Sequence, residues 1–286
     1  MKFQKIILLV GLTAALSGVC PAVYNQFVRA QAAPKNTSVQ QQNPTQNEKD
    51  VYLPLLARTL VNFLTPKTYR SDSRMEIEGE YGAANVKFTV NINTSVKAPN
   101  QFRSEISFPG NNGVPVRRYT VISNGKQVWT YRPDARQYAV SSYAEFDRSD
   151  NSFLIGLLPS LYLNLFPSVQ ESIASGSFDY KDLLTQLQAD SNGVKWKKQN
   201  IEGKEYYLYG IDEPKSAYQF NFFVEPETAT IKQIQLEGRE KEMNIIVKDK
   251  IIRRVENPTL AANTFTFSPH RGVKRVKTIS INPFEQ

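Results

Sequence analysis

Two carboxylates held close together can divide acid and nucleophile duties on a glycosidic bond, so Glu225 and Glu227, separated only by Pro226, are the first place to look for chemistry. They stand between two strand-like runs, and proline is favoured inside β-turns, so the spacing reads as a turn before it reads as a catalytic pair. His270 is the only histidine and Cys20 the only cysteine. Zinc centres and histidine-based nucleophilic triads therefore have no parts to be built from. No glycine-rich phosphate loop is present. One enzymatic reading stays open, a hydrolase using carboxylates alone. The favoured expectation is a protein without catalysis, metal or cofactor.

The chain opens with the basic stretch Met1–Lys5, continues through Ile6–Val23 without a charge, and reaches Ala30-Gln31-Ala32 ahead of Ala33-Pro34. That is the layout of a secretory leader with a small-x-small cleavage site, giving a leader over 1–32 and a periplasmic or otherwise exported protein. The alternative is that the apolar run stays as a membrane anchor. Lipid attachment at Cys20 fits poorly, because Val19 fills the position before it, where the processing enzyme takes Gly or Ala. Without Cys20 the remaining chain has no thiol and no disulfide. Its formal charge is +8 over the whole length, about +5 once Lys2, Lys5 and Arg29 go with the leader, and its basic residues are scattered. Lys195-Trp196-Lys197-Lys198 is the densest cluster and reads as the solvated start of a strand, so no nucleic acid is called for.

Residues 33–47 are rich in Gln, Asn, Pro and Thr and read as a flexible tether before one domain over 48–286. Leu56, Leu60, Phe63 and Leu64 then form one apolar stripe of a helix over Asp50–Leu64, with Pro54 in its first turn and Pro66 past its end. From Tyr69 the period becomes two. Val86, Phe88, Val90, Ile92 and Val96 alternate with polar residues in the cleanest strand of the chain. Further strands are expected over 102–108, 137–141, 194–201, 206–211, 218–224, 230–236, 243–247 and 265–267. Residues 119–133 read as a hairpin about Asn124-Gly125, a pair suited to a type I′ turn that would set Val121 opposite Val128. Tyr119, Val121, Val128 and Thr130 then share one face, and Ile122, Trp129 and Tyr131 the other. Both faces are partly apolar, which points to a sheet covered on more than one side. About ten strands joined by short turns form a large antiparallel sheet that must curl, close or be covered.

Phe153–Phe166 is nearly all apolar but broken by Gly156 and Pro159, too short and interrupted to cross a bilayer. An amphipathic helix follows over Phe178–Ala189, with Tyr180, Leu183, Leu184 and Leu187 on one face. Two readings stay open for this insert, ordinary core against the sheet or a movable lid over an apolar pocket.

Three motifs in order resemble those of the LolA superfamily of periplasmic lipoprotein carriers. Pro99-Asn100-Gln101-Phe102 is similar to its Pro-Asn-Leu-Phe strand opening. Ser123-Asn124-Gly125-Lys126-Gln127-Val128-Trp129-Thr130-Tyr131-Arg132-Pro133 is similar to its Ser-Asp-Gly-Lys-x-Leu-Trp-x-Tyr-x-Pro hairpin. Asn263-Thr264-Phe265-Thr266-Phe267-Ser268-Pro269 through Gly272-Val273 is similar to its closing Phe-x-Phe-x-Pro-x-x-Gly-Val. The resemblance implies a mainly β fold with helices (α+β), an unclosed antiparallel β-barrel of LolA type with a helical lid over an apolar cavity. It implies that lipid or lipoprotein acyl chains bind there, shuttled between membranes with a membrane-associated donor or acceptor protein, and a monomer. Each buried methylene would contribute about 0.8 kcal/mol without any catalytic group. On this basis Val86, Phe88, Val90, Ile92, Phe102, Trp129, Phe220 and Phe222 are candidates for the cavity wall, and Leu154, Leu157, Leu158 and Leu161 for the lid. The chain departs from the carriers where Ala98 replaces the arginine before Pro-Asn that is associated with holding the lid, and its insert over 143–190 is longer. A sensor or protein-interaction domain on the same scaffold is the alternative.

Overall fold

The period-two run that marks the sequence becomes the middle of one sheet. A computed structural model describes residues 46–81, 84–110, 116–149, 151–165, 167–175, 178–189, 194–212, 218–240 and 243–282. The leader expected at 1–32 and the tether at 33–47, save its last two residues, lie outside these. Helix α1 spans Gln46–Leu64. Strands follow at β1 Thr68–Tyr81, β2 Ala84–Lys97, β3 Gln101–Phe108, β4 Arg117–Asn124, β5 Gln127–Arg132 and β6 Gln137–Ser142. The insert then carries α2 Tyr143–Asp147, a 3₁₀ turn Ser152–Ile155, α3 Leu157–Leu163, α4 Pro167–Ala174 and α5 Tyr180–Ala189. The chain returns through β7 Val194–Ile201, β8 Lys204–Asp212, β9 Tyr218–Glu225, β10 Thr230–Glu240, β11 Met243–Glu256 and the short β12 Lys274–Arg275.

All twelve strands join one sheet in the order β12-β6-β5-β4-β3-β2-β1-β11-β10-β9-β8-β7, antiparallel except for β12 on β6. The ends β12 and β7 do not pair, so the sheet is unclosed. The fold is mainly β with helices, as expected. Pairing of Ser73 with Ile92, Ile92 with Ile106 and Ile106 with Tyr119 runs one buried rung across four strands. This inner face carries the helices. α1 lies over β7–β10, where Tyr52 stacks on Trp196 at 4.6 Å and the Tyr209 hydroxyl donates to Tyr52 O at 2.8 Å. At its C-terminus the free carbonyls of Asn62 and Phe63 accept from the Arg254 guanidinium, which also lies over the Phe63 and Tyr69 rings. The edge strand β7 exposes Lys195, Lys197 and Lys198, a charged edge of the kind that discourages further strand addition.

Three local expectations change. The Asn124-Gly125 hairpin pairs Ser123 with Val128 and Val121 with Thr130, two residues from the type I′ register. Only Gly125 of the pair takes positive φ, at +91°, and the Asn124 Oδ1 instead accepts from the Lys126 and Gln127 amides, which widens the loop to four residues. Because the slip is two residues, each side chain keeps its face. Residues 265–267 form no strand. Their segment crosses the outer face as a strap, its amides turned on themselves through Thr264 N to Ala261 O and Thr266 N to Asn263 O. β11 runs on to Glu256, well past the expected end at Val247, and in doing so delivers Asp249 to the inner face.

Candidate ligand-binding site

The wall candidates Val86, Phe88, Val90, Ile92 and Phe102 fall on the inner face of β2 and β3, and Phe220 and Phe222 on that of β9. Phe88 and Phe108 meet at 6.0 Å between ring centres, and Phe108 meets Tyr119 edge-on. Trp129 is the exception. It pairs with Ile122 on the outer face, where it stacks on Phe267 at 6.2 Å, so it does not belong to the inner wall. Alternation assigned it correctly to the face of Ile122 and Tyr131, but with both faces apolar it could not say which one faces inward.

The insert's Leu154, Leu157, Leu158 and Leu161 are all buried and join the wall residues in one continuous apolar cluster. Pro159 sits in the first turn of α3, where its missing N–H costs nothing. Gly156 links the 3₁₀ turn to α3 at φ +104°, and a β-carbon there would meet Pro159 Cδ at 3.0 Å. The bend is therefore reserved for glycine.

Around this bend the otherwise apolar inner face is polar. Asp249 Oδ2 accepts the Leu157 amide at 2.7 Å, at the start of α3, and Thr94 Oγ1 donates to Ile155 O at 2.7 Å while sharing a hydrogen bond with Ser104. Burial pushes the Asp249 carboxyl above the usual aspartate range, against the pull of the Ser73 hydroxyl and the Leu157 and Leu158 amides. Its Oδ1 has no hydrogen-bond partner. Tyr162 at the far end of α3 donates to Pro66 O at 2.6 Å and packs edge-on against Tyr69. At the near end, Asn151 donates to Ile279 O and accepts from the Ile281 amide, while the Tyr119 hydroxyl reaches Asn282 O. The C-terminal strap thus passes the β6 edge and fastens the base of the insert. None of these anchors was expected from the sequence. Asp249 had a readable signal, a carboxylate in an inward slot between Val247 and Ile251, but the strand was expected to end before it.

Glu225 and Glu227 lie at the β9–β10 turn as expected. Glu225 is buried on the outer face and held ionised, its pKa lowered to about 2 by the Thr228 hydroxyl first and then by Lys232 and Lys204. A carboxyl so acidic does not serve as a general acid near neutral pH. Among the described residues no three His, Cys, Asp or Glu side chains converge as a metal site would need, and no helix is long and apolar enough to cross a membrane.

The three sequence motifs meet at one end of the sheet. Ser123 Oγ donates to Asn100 O at 2.7 Å, and Phe267 packs on Trp129, Tyr131 and Tyr138. No family model matches the chain, and no curated protein matches its sequence. Among solved structures it is similar to LprF from Mycobacterium bovis, at 10% identity over 78% of this chain and 100% of that one, with a TM-score of 0.39. It is similar to a LolA superfamily protein from Nitrosomonas europaea, at 10% identity over 74% of this chain and 96% of that one, TM-score 0.33. A third is a putative outer membrane lipoprotein-sorting protein domain from Vibrio parahaemolyticus, at 9% identity over 74% and 95%, TM-score 0.32. With TM-scores this low, the likenesses carry nothing about the chemistry of the site.

Proposed function

We propose that this is an exported binding protein that holds a lipid, or the acyl chains of a lipoprotein, between the inner sheet face and the leucine-rich insert, and passes them between membrane-associated partners. The observation that carries the reading is the polar anchoring of the bend at Ile155–Leu157. An apolar side chain at position 249 would pack this face at lower cost than a buried carboxyl with one orphaned oxygen. A discrete anchor has a different use, since it can be broken and remade while the apolar surfaces exchange one hydrocarbon partner for another. The leucines themselves cover the wall, and on this reading that is the closed arrangement. An entering acyl chain replaces leucine contacts with methylene contacts of similar worth, so loading is nearly balanced and reversible.

That self-filled packing also favours a second reading, a sensor or protein-interaction domain on the same scaffold that carries no ligand. Organic-solvent extraction of the purified protein, followed by titration with a dansyl-labelled fatty acid, separates the two. Extracted lipid and saturable uptake, faster in Asp249→Ala, are expected. A protein free of lipid that takes up no probe in either form, yet co-purifies with a protein partner, supports the second reading and ends the first.

A further inference from the structure

The outer face of the same sheet holds a cavity of polar character. It encloses about 540 Å³ between the sheet and the C-terminal strap, within the range of small-molecule sites. Its floor is two rungs of the sheet. One runs Arg70, Ser95, Arg103, Ile122 across β1 to β4, and the next runs Asn93, Glu105, Thr120, Tyr131 across β2 to β5. Strap residues 263–270 form the roof, with Phe267 fixed by the three aromatic rings beneath it.

From this arrangement we infer that the outer cavity is a binding site for a small hydroxylated anion of the sugar-acid or sugar-phosphate class. Neighbouring strands lie about 4.8 Å apart, so Arg70 and Arg103, on either side of β2, stand about 10 Å apart at their Cα atoms, a span two arginine side chains close on one anionic group. Arg70 spends one N–H on the buried Ser95 hydroxyl at 3.2 Å, which orients the guanidinium over the cavity floor. Arg103 touches Glu105 at 3.3 Å, an exposed pair weak enough to yield to a bound anion. The next rung supplies the hydroxyls of Thr120 and Tyr131, groups that suit a polyol, beside Asn93, whose amide donates to Asp72 Oδ1. Phe267 and Tyr131 add aromatic faces on which a sugar ring can stack. An acyl chain would leave these donors unpaired, and the sheet itself separates the cavity from the inner face. The site therefore stands whether or not the inner face takes up lipid.

Trp129 stacks on Phe267 beside the cavity, and Trp196 is the only other tryptophan. In the Trp196→Phe protein, fluorescence then reports the strap directly. Titration with glucuronate and with glucose 6-phosphate is expected to give a saturable change for at least one, which identifies carboxylate or phosphate as the anion. Arg70→Gln with Arg103→Gln should weaken it roughly tenfold or more, since each removes charged donors. Thr120→Val, which keeps the shape of the side chain, should weaken it less. Glucose alone should bind far more weakly. Absence of any saturable change, equal affinity in the double arginine variant, or inorganic phosphate binding as tightly as glucose 6-phosphate would each overturn the assignment.

Discussion

The two faces of this one sheet solve the same covering problem in opposite ways. The inner face is mainly aliphatic and aromatic, covered by helices, and carries its buried carboxyl where the insert bends. The outer face of β1–β5 is arginine, amide and hydroxyl, covered by an extended strap through a few aromatic contacts. A buried carboxyl on each face shows the difference. Asp249, inside, faces amides and a hydroxyl, and burial raises its pKa. Glu225, outside, is met by a hydroxyl and two lysines and falls to about 2. A face that tolerates a poorly compensated carboxyl at one bend is arranged around that bend, whereas the outer pair simply staples a turn.

The largest effect we expect comes from the inner face. Leu161→Ala removes a fully buried side chain and should cost about 2–5 kcal/mol in denaturant unfolding, whereas Thr120→Ala on the outer face should change stability by well under 1 kcal/mol. Similar costs for the two would erase the distinction.

The carboxyls give the next contrast, with opposite signs in pH. Glu225 has a lowered pKa, so its stabilisation is present above about pH 4.5 and is lost as pH falls towards 2. Glu225→Gln should therefore be less stable than the parent at neutral pH, by about 1–2 kcal/mol once the exposure of Lys204 and Lys232 is discounted, and should converge with it in acid. Asp249 has a raised pKa, so its contribution is fullest below about pH 3.8, the unfolded value, and is lost as pH rises through the folded one. The parent should lose ground to Asp249→Asn as pH increases. Chemical denaturation of both pairs across pH checks the signs, and parallel curves would show that neither carboxyl feels its surroundings as described.

A comparable effect is expected at the strap. Phe267→Ala removes its stacking on Trp129, Tyr131 and Tyr138 and should cost about 1–2 kcal/mol while reddening the Trp129 emission. An unchanged spectrum would mean that the strap is not held there.

Most of the sheet was legible because side-chain alternation survives in strands such as Val86–Val96, and a register slip of two residues in the hairpin left every face assignment intact. Alternation is silent on which face is inner, which is how Trp129 was assigned to the wrong wall. It is also satisfied by any extended chain with one aromatic tucked under it, so Phe265 and Phe267 read as a strand when they lie in a strap. The anchors at Asn151, Thr94 and Asp249 depend on contacts between residues far apart in sequence, and only the carboxylate in an inward slot left a trace that could be read locally.

Hydrogen exchange at the Leu157 and Leu158 amides, with and without a bound fatty acid, tests most directly whether the insert is a lid. Protection in the free protein and faster exchange at these two amides on loading, with the β2 and β3 amides still protected, is the expected result. Slow exchange at both amides in the presence of saturating fatty acid would show that the insert is fixed core and not a lid.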